Sequence, residues 1–239
     1  MNPFFLIFVI TVSIHCLFGQ NRDKVLFEEN FDSFLSCPTN LGQWELLSRW
    51  YIPVSGSPDY FHPCLFDELD STNGFYQGSK RIPNLTSGCV GLVLFSTRSR
   101  GLIEYLSIRL PRELDAGEKL EVFFKIGKIN DEPVDLKKFS IYFSNEKFPR
   151  TRSIRKYDCI AGNKKNIIDF DLSNIAQGEW QIVNESYVSK GGESFIHLGL
   201  FTATYTNRDY KVLERKMNKE LGTLAGVFID SVSIIKTED

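Results

Sequence analysis

Histidine and methionine are scarce in this chain of 239 residues, with 3 and 2 copies, and the scarcity removes whole classes of chemistry. No His-Glu-x-x-His helix is present to hold a catalytic zinc, and no Gly-x-Ser-x-Gly elbow to expose a nucleophilic serine. Charge of one sign is lacking too: 28 Lys and Arg stand against 30 Asp and Glu, a formal net charge of −2. A nearly neutral chain gives no electrostatic reason for a nucleic-acid partner. No linker rich in proline, glycine or serine, no internal repeat and no low-complexity stretch divides it. After residue 19 no apolar run approaches the roughly 20 residues that cross a bilayer, so no transmembrane span is expected once the N-terminal segment is removed.

What the chain has in quantity is aromatic surface: 20 Phe, 9 Tyr and 3 Trp, within 42% hydrophobic and 24% charged residues. That is the composition of a folded domain, and the aromatic share favours sheets, because flat and β-branched side chains fit a pleated, half-buried surface. Met1 to Gly19 carries no Lys, Arg, Asp or Glu, and its apolar run from Phe4 closes with Leu17-Phe18-Gly19. It reads as a secretory signal peptide, with an uncleaved anchor as the alternative. Cys16 falls inside it, and Ser13-Ile14-His15 lacks the small residue that a lipid-attachment cysteine needs before it. Residues 20–239 are then the mature domain, exported to the periplasm, the outer cell surface or the medium.

Export changes the meaning of the remaining cysteines, Cys37, Cys64, Cys89 and Cys159. An even number in an oxidising compartment suggests disulfides, and four cysteines allow three pairings. Cys37 and Cys64 both lie in turn-rich segments, where a bridge would pin chain otherwise poor in hydrogen bonds, and this pair is the expected disulfide. Cys89 sits in an apolar run and reads as a small buried hydrophobe. His62-Pro63-Cys64 lacks the paired Cys-x-x-Cys or His-x3-His spacing of a zinc site.

Period-two alternation marks strands at short intervals. Leu120, Val122, Phe124 and Ile126 alternate with Glu121, Phe123 and Lys125, and similar runs at 25–31, 89–95, 102–110, 139–143, 167–172, 180–188, 195–201 and 227–235 give about nine strands. Gly191-Gly192 reads as a hairpin connection between two of them. Only Tyr210–Leu221, with Leu213, Met217 and Leu221 at helical spacing, reads as a helix. The expected fold class is all-β, a two-sheet jelly-roll β-sandwich with one short helix, in a single domain.

One string carries more than periodicity. Ser36-Cys37-Pro38, Gly42-Gln43, Trp50, Ser55-Gly56-Ser57-Pro58-Asp59-Tyr60-Phe61 and Cys64 resemble the N-terminal module of Bacteroidetes envelope proteins that often precedes an OmpA-like peptidoglycan-binding domain. Asn73-Gly74, Ser87-Gly88, Tyr142-Phe143-Ser144, Lys190-Gly191-Gly192-Glu193 and Phe228-Ile229-Asp230-Ser231-Val232 continue the likeness from about Val25 to Ile235. The resemblance implies an exported jelly roll similar to galactose-binding and carbohydrate-binding modules. It also implies a structural calcium between the first strand and the last, at the matching positions Asp32 and Asp230. The residues give their own reason to watch Asp230, which shares a period-two row with Phe228, Val232 and Ile234. A carboxylate there needs a partner, whether a cation, a salt bridge or loop amides.

A ligand surface on such a fold would use exposed rings to stack on sugars and polar groups to meet their hydroxyls. Candidates are Trp50, Tyr51, Tyr60 and Phe61, with Asp59 beside them, and Tyr205 and Tyr210 before the last strand; Trp180 reads as core. The basic stretch Lys147, Arg150, Arg152, Arg155, Lys156, Lys164 and Lys165 reads as a solvated loop, with acidic glycans or lipid headgroups as the alternative. Gly74 to Lys80 imitates a phosphate loop but has three residues between its glycines instead of four, so a nucleotide site is rejected. His197 reads as a satisfied, half-buried histidine. Together these features point to a secreted, non-catalytic module that binds a polysaccharide or another cell-envelope component. The alternatives are a structural or adhesion module contacting envelope proteins, and a glycan-active hydrolase with two carboxylates across a groove.

Overall fold

The protein is described by a computed structural model, which covers residues 24–53, 56–96, 103–128, 136–148, 164–201 and 224–237. The expected signal peptide, Cys16, Cys159, Tyr205, Tyr210, the 210–221 helix and the basic residues at 150–156 lie outside the described residues.

The alternating runs do become strands, and they pack as two antiparallel sheets. The first contains β1 (Val25–Glu29), β3 (Asp59–Phe61), β4 (Cys89–Ser96), β6 (Lys119–Lys128), β9 (Trp180–Val188) and β11 (Leu224–Lys236). The second contains β2 (Trp50–Tyr51), β5 (Leu106–Arg109), β7 (Lys138–Ser144), β8 (Ile167–Asp171) and β10 (Phe195–Gly199). From β4 onward the chain crosses between sheets so that β4-β11-β6-β9 faces β5-β10-β7-β8. That order is two Greek keys wrapped around one core, the jelly roll expected from the sequence. Inward rows such as Val122, Phe124 and Ile126 of β6 and Phe139, Ile141 and Phe143 of β7 meet between the sheets and are fully buried or nearly so. Each such side chain contributes roughly 1.5–3 kcal/mol by leaving water.

Three local readings change. The segment around Gly191-Gly192 is no hairpin: β9 pairs with β6 in the first sheet and β10 with β5 and β7 in the second, so 189–193 arches between sheets. Glu193 holds the arch, buried, accepting from the Tyr187 hydroxyl, the Ser189 hydroxyl and the Lys190 amide at 2.7, 2.6 and 2.7 Å. Two short helices occur where none was expected, α1 (Leu65–Glu68) and α2 (Gly74–Ser79). The second is the rejected phosphate-loop segment, capped by the Asn73 side chain accepting from the Phe75 amide at 2.8 Å. Finally, the row Phe228, Asp230, Val232, Ile234 is not one face. The register of β11 against β6 slips between Ile229 and Ser231, so Asp230 is the extra residue of a β-bulge. Before it Val227 and Ile229 face the core and Phe228 faces out; after it Val232 and Ile234 face the core.

The bulge lies where β11 changes partners. One edge of β11 pairs with β4 over 224–229 and with β1 over 232–235. The chain leaving β1 and the chain entering β4 therefore meet over Asp230. The Ser87 hydroxyl donates to Asp230 and the Gly88 amide to Asp32, each at 2.7 Å. Phe31, fully buried at φ 59°, accepts from the Tyr60 hydroxyl through its carbonyl at 2.9 Å. The Cys37–Cys64 disulfide, as expected, ties the loop after β1 to the start of α1. Cys89 is a free, buried thiol.

The bulge junction and the bridge each make a prediction. A Cβ at Gly88 would stand 2.0 Å from the Phe31 carbonyl oxygen, so Gly88→Ala should lower stability by about 2–4 kcal/mol in urea unfolding. The disulfide closes a loop with a sequence separation of 27. A Cys37→Ser, Cys64→Ser double variant should lose about 3–4 kcal/mol in the same measurement.

Candidate functional site

On the outer face of the second sheet, neighbouring strands place Tyr51, Ser107, His197 and Tyr142 in one cross-strand row. Phe195 stands two residues along β10, and Phe148 follows the end of β7. Phe148 stacks on His197 with centroids 4.2 Å apart and on Tyr142 at 5.4 Å. Phe195 lies 6.4 Å from His197 and meets Tyr51 edge to face at 6.4 Å. Tyr51, Tyr142, Phe148 and Phe195 are all half-buried, so the array keeps ring surface in water. The exposed Lys147 holds its Nζ 4.3 Å from the centre of the Tyr51 ring, a cation–π contact.

Beneath the rings, His197 is fully buried. The Ser144 hydroxyl donates to the Glu146 carbonyl at 2.6 Å, so His197 Nε2 donates to Ser144 Oγ and Nδ1 accepts from the Ser107 hydroxyl, both at 2.7 Å. This network assigns the neutral Nε2–H tautomer. Burial pushes the imidazole down to about 3. The satisfied histidine read from the sequence is thus present, more deeply buried than expected. Tyr51 differs. Its hydroxyl is buried next to Ser107 and the Phe148 backbone without completing a hydrogen bond, and burial raises it to about 12.

The outer face of the first sheet has a different character. A cavity of about 290 Å³ is lined by Asp59, Phe61, Arg81, Gly91 and Phe228, with Leu41 at its side. Phe61 also packs face to face on Phe75 of α2 at 5.1 Å, so the helices wall the cavity on one side. Asp59 accepts from the Gly42 amide at 2.7 Å, and burial raises its carboxyl to about 6. Behind it Glu104, 4% exposed, accepts from the amides of Ser57 and Val93 at 2.9 and 3.0 Å. Burial raises Glu104 to about 7; the two amide bonds oppose the rise and the nearby Asp59 charge adds to it.

The sequence candidates therefore separate. Trp50 and Tyr60 are core residues: Trp50 is 5% exposed and donates its indole N–H to Glu29 at 3.0 Å, and Tyr60 is wholly buried. Strand alternation puts each on the face opposite to its neighbour Tyr51, Asp59 or Phe61. Tyr51 joins the aromatic array, whereas Asp59 and Phe61 join the cavity on the opposite side of the sandwich. Trp180 packs half-buried outside the first sheet, its indole donating to the Pro83 carbonyl. Asp230 is paired with Lys125 at 2.7 Å, and Asp32 lies 3.7 Å from His62. Among the described residues no three His, Cys, Asp or Glu side chains gather as a metal-holding group. Tyr142, Phe148, Phe195 and Phe228 were missed. The available signal for Tyr142 was the polar row around it, Ser140 and Ser144, which marks the outward face of β7.

These buried groups set opposing pH dependences. Asp59 and Glu104, raised when folded, contribute stability that is full below their unfolded values near 4 and is lost as pH rises through about 6 and 7. His197, depressed to about 3, contributes stability that is full above 6.5 and is lost as pH falls. Glu104→Gln should remove the Glu104 share of the first effect. Beyond a constant offset from the lost amide bond, the stability of the variant relative to wild type should rise between pH 5 and 8 by on the order of 2–3 kcal/mol. Urea unfolding across that range checks it.

No protein-family model matches the chain, and no curated protein matches it. Solved structures similar to it include a cleaved adhesin domain of Lys-gingipain from Porphyromonas gingivalis, 12% identical with a TM-score of 0.44 over 89% of this chain and 98% of that one. The CBM22-1–CBM22-2 tandem domain of Paenibacillus barcinonensis Xyn10C is 10% identical, with a TM-score of 0.43 over 90% of this chain and 45% of that one. The CBM22-1 xylan-binding domain of the same protein is 12% identical, with a TM-score of 0.41 over 90% and 96%.

Proposed function

We propose that this chain is an exported, non-catalytic binding module that holds a carbohydrate chain on the outer face of its second sheet. The observation that carries the reading is the contiguous array of Tyr51, Tyr142, Phe148 and Phe195, half-buried rings on three strands and the segment after β7, held together by ring contacts of 4.2–6.4 Å to His197 or to one another. Packed rings that keep part of their surface in water offer the apolar C–H faces of sugars a stacking partner. Polar groups border them: Lys147 on one side and Arg109 opposite Phe195 in the sheet. The charge-poor leader at Met1 to Gly19 supports export, as does the Cys37–Cys64 disulfide, a bond that persists in oxidising compartments. Among the described residues no helix is long and apolar enough to cross a membrane.

The hydrolase alternative requires two carboxylates facing each other across an open groove. Of the two raised carboxyls, only Asp59 lines the cavity. Glu104 is 4% exposed and spends its oxygens on the Ser57 and Val93 amides. Among the described residues, a bound sugar would find one acid there, not a pair.

Native affinity electrophoresis through gels containing soluble xylan, mixed-linkage β-glucan or peptidoglycan fragments tests the proposal. Retardation by at least one polymer is expected, with affinity falling by about tenfold for Tyr51→Ala or Phe195→Ala as one stacking contact is removed. Circular dichroism should show both variants folded. Unchanged migration of the wild-type chain in every gel would overturn the reading.

A further inference from the structure

The cavity on the first sheet plays no part in the aromatic array, and its lining asks for a different ligand. Phe61 and Phe228 meet edge to face with centroids 5.7 Å apart. Both lie over Gly91, where a Cβ would stand 3.2 Å from the Phe228 ring and 3.4 Å from the Phe61 ring. The missing side chain is what lets both rings settle against the sheet beside Asp59. At the wall stands Asp59, half-buried, with Oδ1 accepting from the Gly42 amide at 2.7 Å. Among the described residues, Oδ2 has no hydrogen bond and no Lys, Arg or His ion-pairs with Asp59. Arg81, exposed at the rim, is engaged in an interaction of its own. An ionised carboxylate held half out of water without a cation is costly, and burial raises the Asp59 carboxyl to about 6.

We propose that this cavity binds a compact organic cation, an ammonium head on a small apolar body, with its charge against Asp59 Oδ2 and its apolar surface on Phe61 and Phe228. Three features select that class. The carboxylate supplies the counter-charge that would otherwise be absent. Phenyl rings attract a desolvated cation through their negative faces, as aromatic cages do for quaternary ammonium groups. A volume of about 290 Å³ sits at the lower bound of small-molecule pockets and suits one small group, not a polymer segment. A neutral apolar ligand would leave the carboxylate unpaired, and an anion would be repelled by it.

Isothermal titration of the full chain at pH 8 with choline, and with its uncharged isostere 3,3-dimethylbutan-1-ol, separates charge from shape. Choline should bind at least about tenfold more tightly than the alcohol. Asp59→Asn keeps an oxygen for the Gly42 amide and should bring choline affinity down to that of the alcohol, leaving the alcohol unchanged. Phe228→Leu should weaken both ligands, with circular dichroism confirming its fold. Equal binding of the two ligands, a preference for choline that survives Asp59→Asn, or no heat from choline with folded wild type would each overturn the proposal. Polysaccharide retardation should be unaffected by Asp59→Asn, so the two sites are judged independently.

Discussion

Strand β11 must pair with three strands at once, and the single extra residue Asp230 is what reconciles their registers. On one edge β6 runs beside it for nearly its whole length; on the other, β4 gives way to β1. Without the bulge, a period-two strand would keep the same parity facing inward throughout, and either Phe228 or Val232 would be on the wrong side. With it, Phe228 turns outward under the helical layer while Val232 and Ile234 still fill the core. The carboxylate left at the bulge is neutralised by Lys125 and hydrogen-bonded by Ser87. The charge at this junction therefore follows from the backbone irregularity, and the cavity on the first sheet follows from the outward Phe228.

Two further carboxylates behave in contrasting ways because of what surrounds them. Glu193 is buried, which acts to raise its carboxyl, yet bonds from Ser189, Lys190 and Tyr187 outweigh burial and hold it below the ordinary range. Glu104 is more heavily desolvated and has the Asp59 charge nearby, and its two amide bonds do not compensate. The difference is the depth of burial, the neighbouring like charge and the number of donors converging on each carboxylate. Glu193 stabilises an arch between the sheets, whereas Glu104 ties the Ser57 loop to β4 at an electrostatic cost.

The two outer faces of the sandwich divide the chemistry. The second sheet presents rings above a neutral histidine and two serines, a surface suited to flat, uncharged partners. The first sheet packs α1 and α2 over Phe61, Cys89 and Phe228 and leaves a small cavity beside them with an acid that has no ion pair among the described residues. Sheet edges are handled unevenly: β2, β3 and β8 are short, while β9 runs from Trp180 to Val188 with Ile182 69% exposed. Glu185, exposed on this edge strand opposite Val122, puts a charge there that discourages pairing with a further strand.

Period-two alternation by itself determined where most strands lie, because whether a residue of a strand faces the core is settled by its immediate neighbours. The chain also made the Cys37–Cys64 bridge and the buried character of His197 and Cys89 legible, since each depends on local polarity and turns. The segment at 189–193 looked like a hairpin because glycines report a turn and not which sheet the next strand joins. Trp50 and Tyr60 read as surface rings because two- and three-residue strands show too little alternation to assign a face. Only tertiary pairing decided that β11 carries a bulge at Asp230, that Tyr51 and Asp59 stand on opposite sides, and that Phe228 floors a cavity. Those outcomes depend on hydrogen-bond registers between segments far apart in the chain, which no local pattern records.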